Sequence, residues 1–293
     1  MMPAALRLGG GRFYRLRRWV RGNPLLAVGG LVVLLLIVVA VLAPWIAPYP
    51  GDAGTATHPF AILKPPSVAH PFGTDQVGRD VFSRVAYGLR ISPVIAVVVI
   101  IVAIMIGVPL GVIAGYFGGV IDDVIMRFTD VFLAVPSLLL ALIFSSVLPP
   151  SVETTTIAIA VSWWPWYARL VRGEAASVRG RAYIESCHAL GLPSWRILLR
   201  HVLPNSITPV MVQVFLDFGG VILTASALSF LGVGAQDPTP EWGLMVSEGL
   251  PYFLTQWWLV TFPGMAILIT AASFNLLGDG LRDRLDPHWL ARQ

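Results

Sequence analysis

Long uncharged runs alternate with short polar breaks along most of this chain, and the runs have the length of a bilayer rather than of a strand. The first, 25–47, is 23 residues without a charge. It is too long for the core of a signal peptide and has no small-residue cleavage site, so it reads as an anchor. Runs at 91–121 and 131–152 each hold a further span. The run at 154–168 has only 15 residues, about 22 Å of helix at the α-helical rise. It gains length if Arg169 and Arg172 reach the interface with their long side chains. A fifth run, 206–234, is interrupted once by Asp217, and 249–278 holds the sixth. The pattern predicts an all-α integral membrane protein with six transmembrane helices.

Two polar segments carry patterns of their own. The loop 48–90 is rich in Pro and Gly to about Thr74. After that, Val81, Phe82, Val85 and Leu89 mark a short amphipathic helix expected to lie against the membrane surface. In the stretch "YIESCHALGLPSWRILLRHVLPN" (183–205) nothing breaks a helix before Leu190, and Gly191 supplies a left-handed C-terminal cap. Pro193 and Ser194 suit the first turn of a second helix. There Trp195, Leu198, Leu199 and Val202 share one face, and Arg196 and Arg200 another. Pro204 is expected to stop this helix, and Asn205 or Ser206 to cap the next run.

Composition agrees with the pattern: 56% of the 293 residues are hydrophobic and 12% charged. A single Cys leaves no internal disulfide framework. The net charge of +4 raises the question of an anionic partner, but its distribution answers it. Arg7, Arg12, Arg15, Arg17, Arg18 and Arg21 precede the first run. With six spans and both termini in the cytoplasm, basic residues concentrate inside. Lys64, Arg79, Arg84 and Arg90 fall outside, all in the long first loop, and the other outer loops hold only Glu153, Asp237, Glu241 and Glu248. Nucleic acid is not indicated.

Candidate chemistry is sparse. Asp217 is the one ionisable residue deep in a predicted span, with Gln213 one turn before it on the same face. An intramembrane carboxylate marks a pathway or bonds across a helix interface. Trp163, Trp164 and Trp166 form an interfacial belt or, with Pro165 kinking the helix, border a conduit. Asp122, Asp123, Arg127 and Asp130 read as solvated capping residues at the cytoplasmic edge. The sole lysine, Lys64, leaves no phosphate-binding loop. His58, His70, His188, His201 and His288 show no metal-ligand spacing. The chain reads as a non-enzyme without a cofactor of its own, so any energy must come from another subunit.

Glu185, Gly191 and Leu203-Pro204 resemble the EAA loop of ABC-importer permeases, and the flanking "WRILLRHVLPN" resembles the dipeptide/oligopeptide branch. The triplet here is Glu185-Ser186-Cys187, and His201 stands where an aliphatic residue is usual. A literal Glu174-Ala175-Ala176, with Gly180 and Leu192-Pro193, keeps the same spacing eleven residues earlier; the context favours the later register. "HPFGTDQVGRDVFSRVAYGLRIS", "GYFGGVIDDVIMRFTDVFLAVP", "LSFLGVGAQDPTPEWG" and "FNLLGDGLRDRLDP" are similar to the same branch. That branch commonly has a glutamate where this chain has Ala225.

The resemblance implies a MetI-like type I ABC importer permease fold of the C-type subunit. Its parts are a basic N-terminus (1–24), a first transmembrane helix (25–47), an extracytoplasmic loop (48–90), a five-helix core (91–280) holding the coupling loop 173–205, and a cytoplasmic tail (281–293). Arg181, Glu185, Ser186, Cys187, Leu190 and Gly191 would couple to the ATPase, and Asp217, Gln213, Trp163 and Trp166 would line the pathway. The implied partners are a homologous permease, two ATPases carrying ATP and Mg, an extracytoplasmic substrate-binding protein, and lipid of a bacterial or archaeal plasma membrane. The outer loop would help seat the binding protein. Alternatives are import of another small solute such as a nickel chelate, a secondary transporter with Asp217 as its ion or proton site, and an intramembrane enzyme, for which no catalytic constellation is present.

Overall fold

The computed structural model describes residues 24–285, which places the six N-terminal arginines and Arg292 outside the described residues. Within them the fold is helical, apart from an isolated bridge between Thr74 and Asp80. The helices are α1 (Pro24–Ile46), α2 (Val81–Gly88), α3 (Ser92–Phe117), α4 (Gly119–Leu133), α5 (Ser137–Val147), α6 (Val152–Arg179) and α7 (Ala182–Ala189). A composite α8 (Ser194–Ile197, Leu198–Val202 and Leu203–Ser206), then α9 (Thr208–Phe230), α10 (Trp242–Gly249) and α11 (Trp258–Leu285), complete it.

The centre of the fold is α3 against α6. Three glycines four residues apart, Gly107, Gly111 and Gly115, let the two backbones meet. A Cβ at these positions would stand 2.5, 2.4 and 2.4 Å from the carbonyl oxygens of Trp164, Ala168 and Arg172. In lipid, where apolar side chains gain nothing by leaving the acyl chains for one another, close backbone packing of this kind supplies the attraction. Gly29 does the same for α1, where a Cβ would lie 2.8 Å from the Ser273 oxygen on α11.

Four described helical stretches have the length and apolar composition of a span: Pro24–Ile46, Val81–Phe117 (α2 running on into α3), Thr208–Phe230 and Trp258–Asp283. The predicted third span, 131–152, is not one helix. Pro136 disfavours helical geometry at Val135, and α4 and α5 meet there at 79°. The 11 residues of α5 reach about 16 Å, short of a bilayer. Counting the bent pair as one span gives five. The predicted fourth span is α6, which runs unbroken through Pro165 for 28 residues. It has the length but not the composition, because Arg169, Arg172, Glu174 and Arg179 crowd its second half. Arg172 does not reach for the interface. It bonds Asp122 on α4 at 3.0 Å, so Asp122 is a buried interhelical partner rather than a solvated cap; Asp130 stays exposed while pairing with Arg169.

The loop 48–90, predicted to lie outside, also departs from expectation. Val81, Val85 and Leu89 do share a face, but α2 is enclosed by protein rather than laid on the membrane. Trp242 is fully buried against it and donates its indole N–H to the Val85 carbonyl at 3.1 Å. Asp80 caps α2 through the Ser83 amide at 2.8 Å and meets His70 at 3.0 Å. Arg79, only 2% exposed, bonds Asp75 and Asp237, each at 2.7 Å, and so ties the first outer loop to the segment before α10. Glu241 and Glu248 lie in the same cap; burial pushes both carboxyls above their ordinary range. Periodicity cannot show this enclosure, because the charges that pair are about 160 residues apart. Arg79→Ala removes the closest cationic partner of the buried Asp75 carboxylate, leaving Arg84 at 3.8 Å, and should cost about 3 kcal/mol. Thermal unfolding in detergent, with the exposed Lys64→Ala as an expected near-silent control, checks it.

Candidate functional site

The segment around Gly191 is built as the glycine pattern requires. Arg181 is extended and opens α7. At its other end the Gly191 N–H donates to the His188 carbonyl at 2.9 Å, and the Leu192 N–H to the Cys187 carbonyl at 3.1 Å. That pair of bonds is a Schellman cap, and Gly191 holds it at φ +74°. Gly180, the glycine of the earlier register, has φ −75°, which any residue adopts. Its Glu174-Ala175-Ala176 triplet lies inside α6, where Ala175 is buried against Gly115.

Buried Ile184 and Ile197 anchor α7 and α8 to the core. Arg181, Glu185, Ser186 and Leu190 are exposed, and Cys187 is half-buried. The result is a short, capped helix fixed from behind and open in front, a shape suited to docking in a cleft. Two residues that periodicity does not single out fasten it. The Tyr116 hydroxyl at the end of α3 lies 3.3 Å from His188 Nε2, and Arg179 donates to the Tyr116 carbonyl at 3.3 Å.

The second helix departs from the expected faces. Ile197 and Val202 are buried with Leu198 partly covered, while Trp195 is 64% and Leu199 54% exposed. The cause is a π-turn over Leu198–Val202, closed by a bond from the Leu203 N–H to the Leu198 carbonyl. It shifts the helical phase and makes room for the Pro204 ring. Pro204 therefore does not stop the helix. Asn205 and Ser206 bond back to the His201 and Val202 carbonyls instead of capping α9.

Deep in the fold, α9 sets Asp217 against α6. The Gln213 amide donates to Asp217 Oδ1 at 2.8 Å. Trp163 and Tyr167, both buried, turn their N–H and O–H towards the same carboxylate. These two groups and Asp217 Oδ2 are enclosed yet reach no hydrogen bond of good geometry. No cation pairs with Asp217 among the described residues. Trp163, Gln213 and Asp217 thus come together as the sequence suggests. Trp166 does not join them: it is 52% exposed on another side of α6. Tyr167 was legible only as the residue four after Trp163, hence on its face.

Residues 107–290 match the family described as "Binding-protein-dependent transport system inner membrane component", and residues 14–66 match the "N-terminal TM domain of oligopeptide transport permease C". Three curated relatives cover most of the chain. A probable D,D-dipeptide transport system permease protein of Escherichia coli is 44% identical over 92% of this chain and 89% of its own length. A dipeptide transport system permease protein of the same species is 47% identical over 89% and 88%. A glutathione transport system permease protein of Shigella flexneri is 44% identical over 92% and 88%.

Proposed function

The chain belongs to the family of binding-protein-dependent transport system inner membrane components, and on that premise we propose that it forms half of the conduit of an ATP-driven importer of dipeptides and short oligopeptides. It is a multi-pass inner-membrane permease subunit and not an enzyme. The observation that carries the mechanism is the Schellman-capped α7. Held by Ile184 and by Tyr116, it presents Glu185, Ser186 and Leu190 to a cleft of the ATPase, which holds ATP and Mg. Closure of two ATPases pulls on α7, and α6, continuous with it but for two residues, carries the displacement into the membrane. A homologous permease supplies the other half of the conduit. A binding protein delivers substrate to the outer cap, where Phe60 and Val68 stand fully exposed. Both termini are cytoplasmic.

Peptide substrates are favoured over nickel chelates or other solutes because the relatives above are named for peptides. A secondary transporter is disfavoured by the family itself. Mild purification of this chain from its host membrane should bring down a nucleotide-hydrolysing subunit; recovery of the chain alone, folded and monodisperse, overturns the reading.

Asp217 belongs to this proposal as a pathway residue, together with Gln213, Trp163 and Tyr167. Asp217→Asn keeps the shape and replaces the carboxyl with an amide. Uptake of radiolabelled dipeptide should fall about fivefold or more, the cost of one hydrogen bond of about 1 kcal/mol, with assembly and basal ATP hydrolysis unchanged. Wild-type uptake of every peptide tested removes Asp217 from the pathway.

A further inference from the structure

An open groove of about 430 Å³ runs between α3 and the junction of α8 with α9. Its lining is apolar throughout: Met105, Val108 and Val112 on one side, and Leu199, Leu203 and Ile207 on the other. The volume is that of a small-molecule site, yet no polar group fixes an orientation within it. Three observations point to what fills it.

The first is depth. Val112 precedes Phe117, the last residue of α3, by five positions, or about 8 Å of helix. Tyr116 there meets His188 of the coupling helix, so the groove opens just inside the face on which α7 lies. The second is continuity: Val94, Val97, Val98, Ile101 and Met105 make one exposed apolar face along α3, and the groove is the lower end of it. The third is charge. Arg196 and Arg200, one turn apart on α8, are the helical neighbours of the lining residue Leu199; both are exposed, and no acidic residue among the described residues pairs with them. Trp195, one turn before Leu199, is exposed beside them, as an aromatic ring at a membrane–water boundary would be.

We infer that this groove holds an acyl chain of an anionic phospholipid from the cytoplasmic leaflet, with the phosphate held by Arg196 and Arg200. Guanidinium groups bind phosphate through paired, charge-assisted bonds, and basic pockets between transmembrane helices on the cytoplasmic side bind anionic headgroups. The inference rests on the orientation proposed above. A lipid seated there would brace α8 against α3 where the coupling segment re-enters the membrane.

The test reads lipid rather than transport. The full chain in its complex is equilibrated with vesicles of equal parts phosphatidylglycerol and phosphatidylcholine, extracted gently, and its retained lipid counted by native mass spectrometry. Wild type should keep phosphatidylglycerol in preference. The double variant Arg196→Gln/Arg200→Gln should lose roughly tenfold of that preference, since each arginine near an anionic headgroup contributes several-fold. Met105→Trp, a bulkier side chain at an exposed lining position, should crowd the groove and retain less lipid of either kind. Equal lipid preference in wild type and the double variant overturns the proposal. So does a photo-crosslinker at Leu199 that captures another subunit instead of lipid. Impermeant labelling of cysteines placed at Asp237 and Arg196 in sealed cells reports the orientation separately: reaction from outside at position 196 sinks the orientation, and the lipid proposal with it.

Discussion

Gly111→Leu should leave little folded protein in the membrane. At that position even the first added carbon would sit 2.4 Å from the Ala168 carbonyl oxygen and 3.0 Å from the Arg172 amide nitrogen, and both are helix backbone that cannot swing aside. The helices must separate, and the contacts of Gly107 and Gly115 on the same seam loosen with them. Overpacking of a rigid site costs about 3 kcal/mol, a large part of the stability of an ordinary domain. Quantitative immunoblotting of membranes and thermal unfolding in detergent measure the loss. Gly173→Ala is the matched control: it is an exposed helical glycine on α6, and nothing lies within 4 Å of its added carbon. It should be neutral or mildly stabilising, by up to about 1 kcal/mol. A stable, abundant Gly111→Leu protein would mean that the α3–α6 seam is not what holds the core.

Gly191→Val should produce the opposite phenotype, a well-inserted protein that does not transport. Nothing lies within 4 Å of a Cβ at Gly191, so the cost is not a clash but the positive φ, at which a β-branched residue is strained. The penalty is about 1–2 kcal/mol, too little to unfold the chain and enough to reshape the Schellman turn. That turn sets the angle between α7 and α8. The misplaced α7 should lose its hold on the ATPase, or leave hydrolysis running without uptake. Gly180→Val meets neither a clash nor a positive φ and should transport normally. Membrane level, ATPase retention and peptide uptake of the two variants decide. A defective Gly180→Val beside a silent Gly191→Val would transfer the coupling role to Glu174.

What could be read from the sequence was local. The Gly191 cap, the helices on either side of it and the Gln213–Asp217 pair follow from spacings of one or two turns, and the structure shows all three. The break at Val135-Pro136 is legible too, but the uncharged run 131–152 continues across it, and run length alone reads that stretch as one span. Periodicity alone did not foresee the π-turn in α8, because a single inserted residue resets the phase without changing composition. The enclosure of α2 depended on Arg79 meeting Asp237, and no local pattern carries that. Tyr116 and His188 fell in different segments, so their contact had no signature at all.

The unbroken course of α6 has a mechanical consequence. From Arg179, which two residues separate from the start of α7, back to Tyr167 is 12 residues of continuous helix, a lever of about 18 Å. A tilt of about 10° at its foot sweeps Tyr167 sideways by roughly 3 Å. Asp217 rides on α9, a different rod. Tyr167 and Trp163 therefore slide past the carboxylate whenever the foot of α6 swings, and a displacement of that size is the full length of a hydrogen bond. Force applied at the membrane surface would thus be read out deep inside it as the making or breaking of the bonds around one carboxyl group.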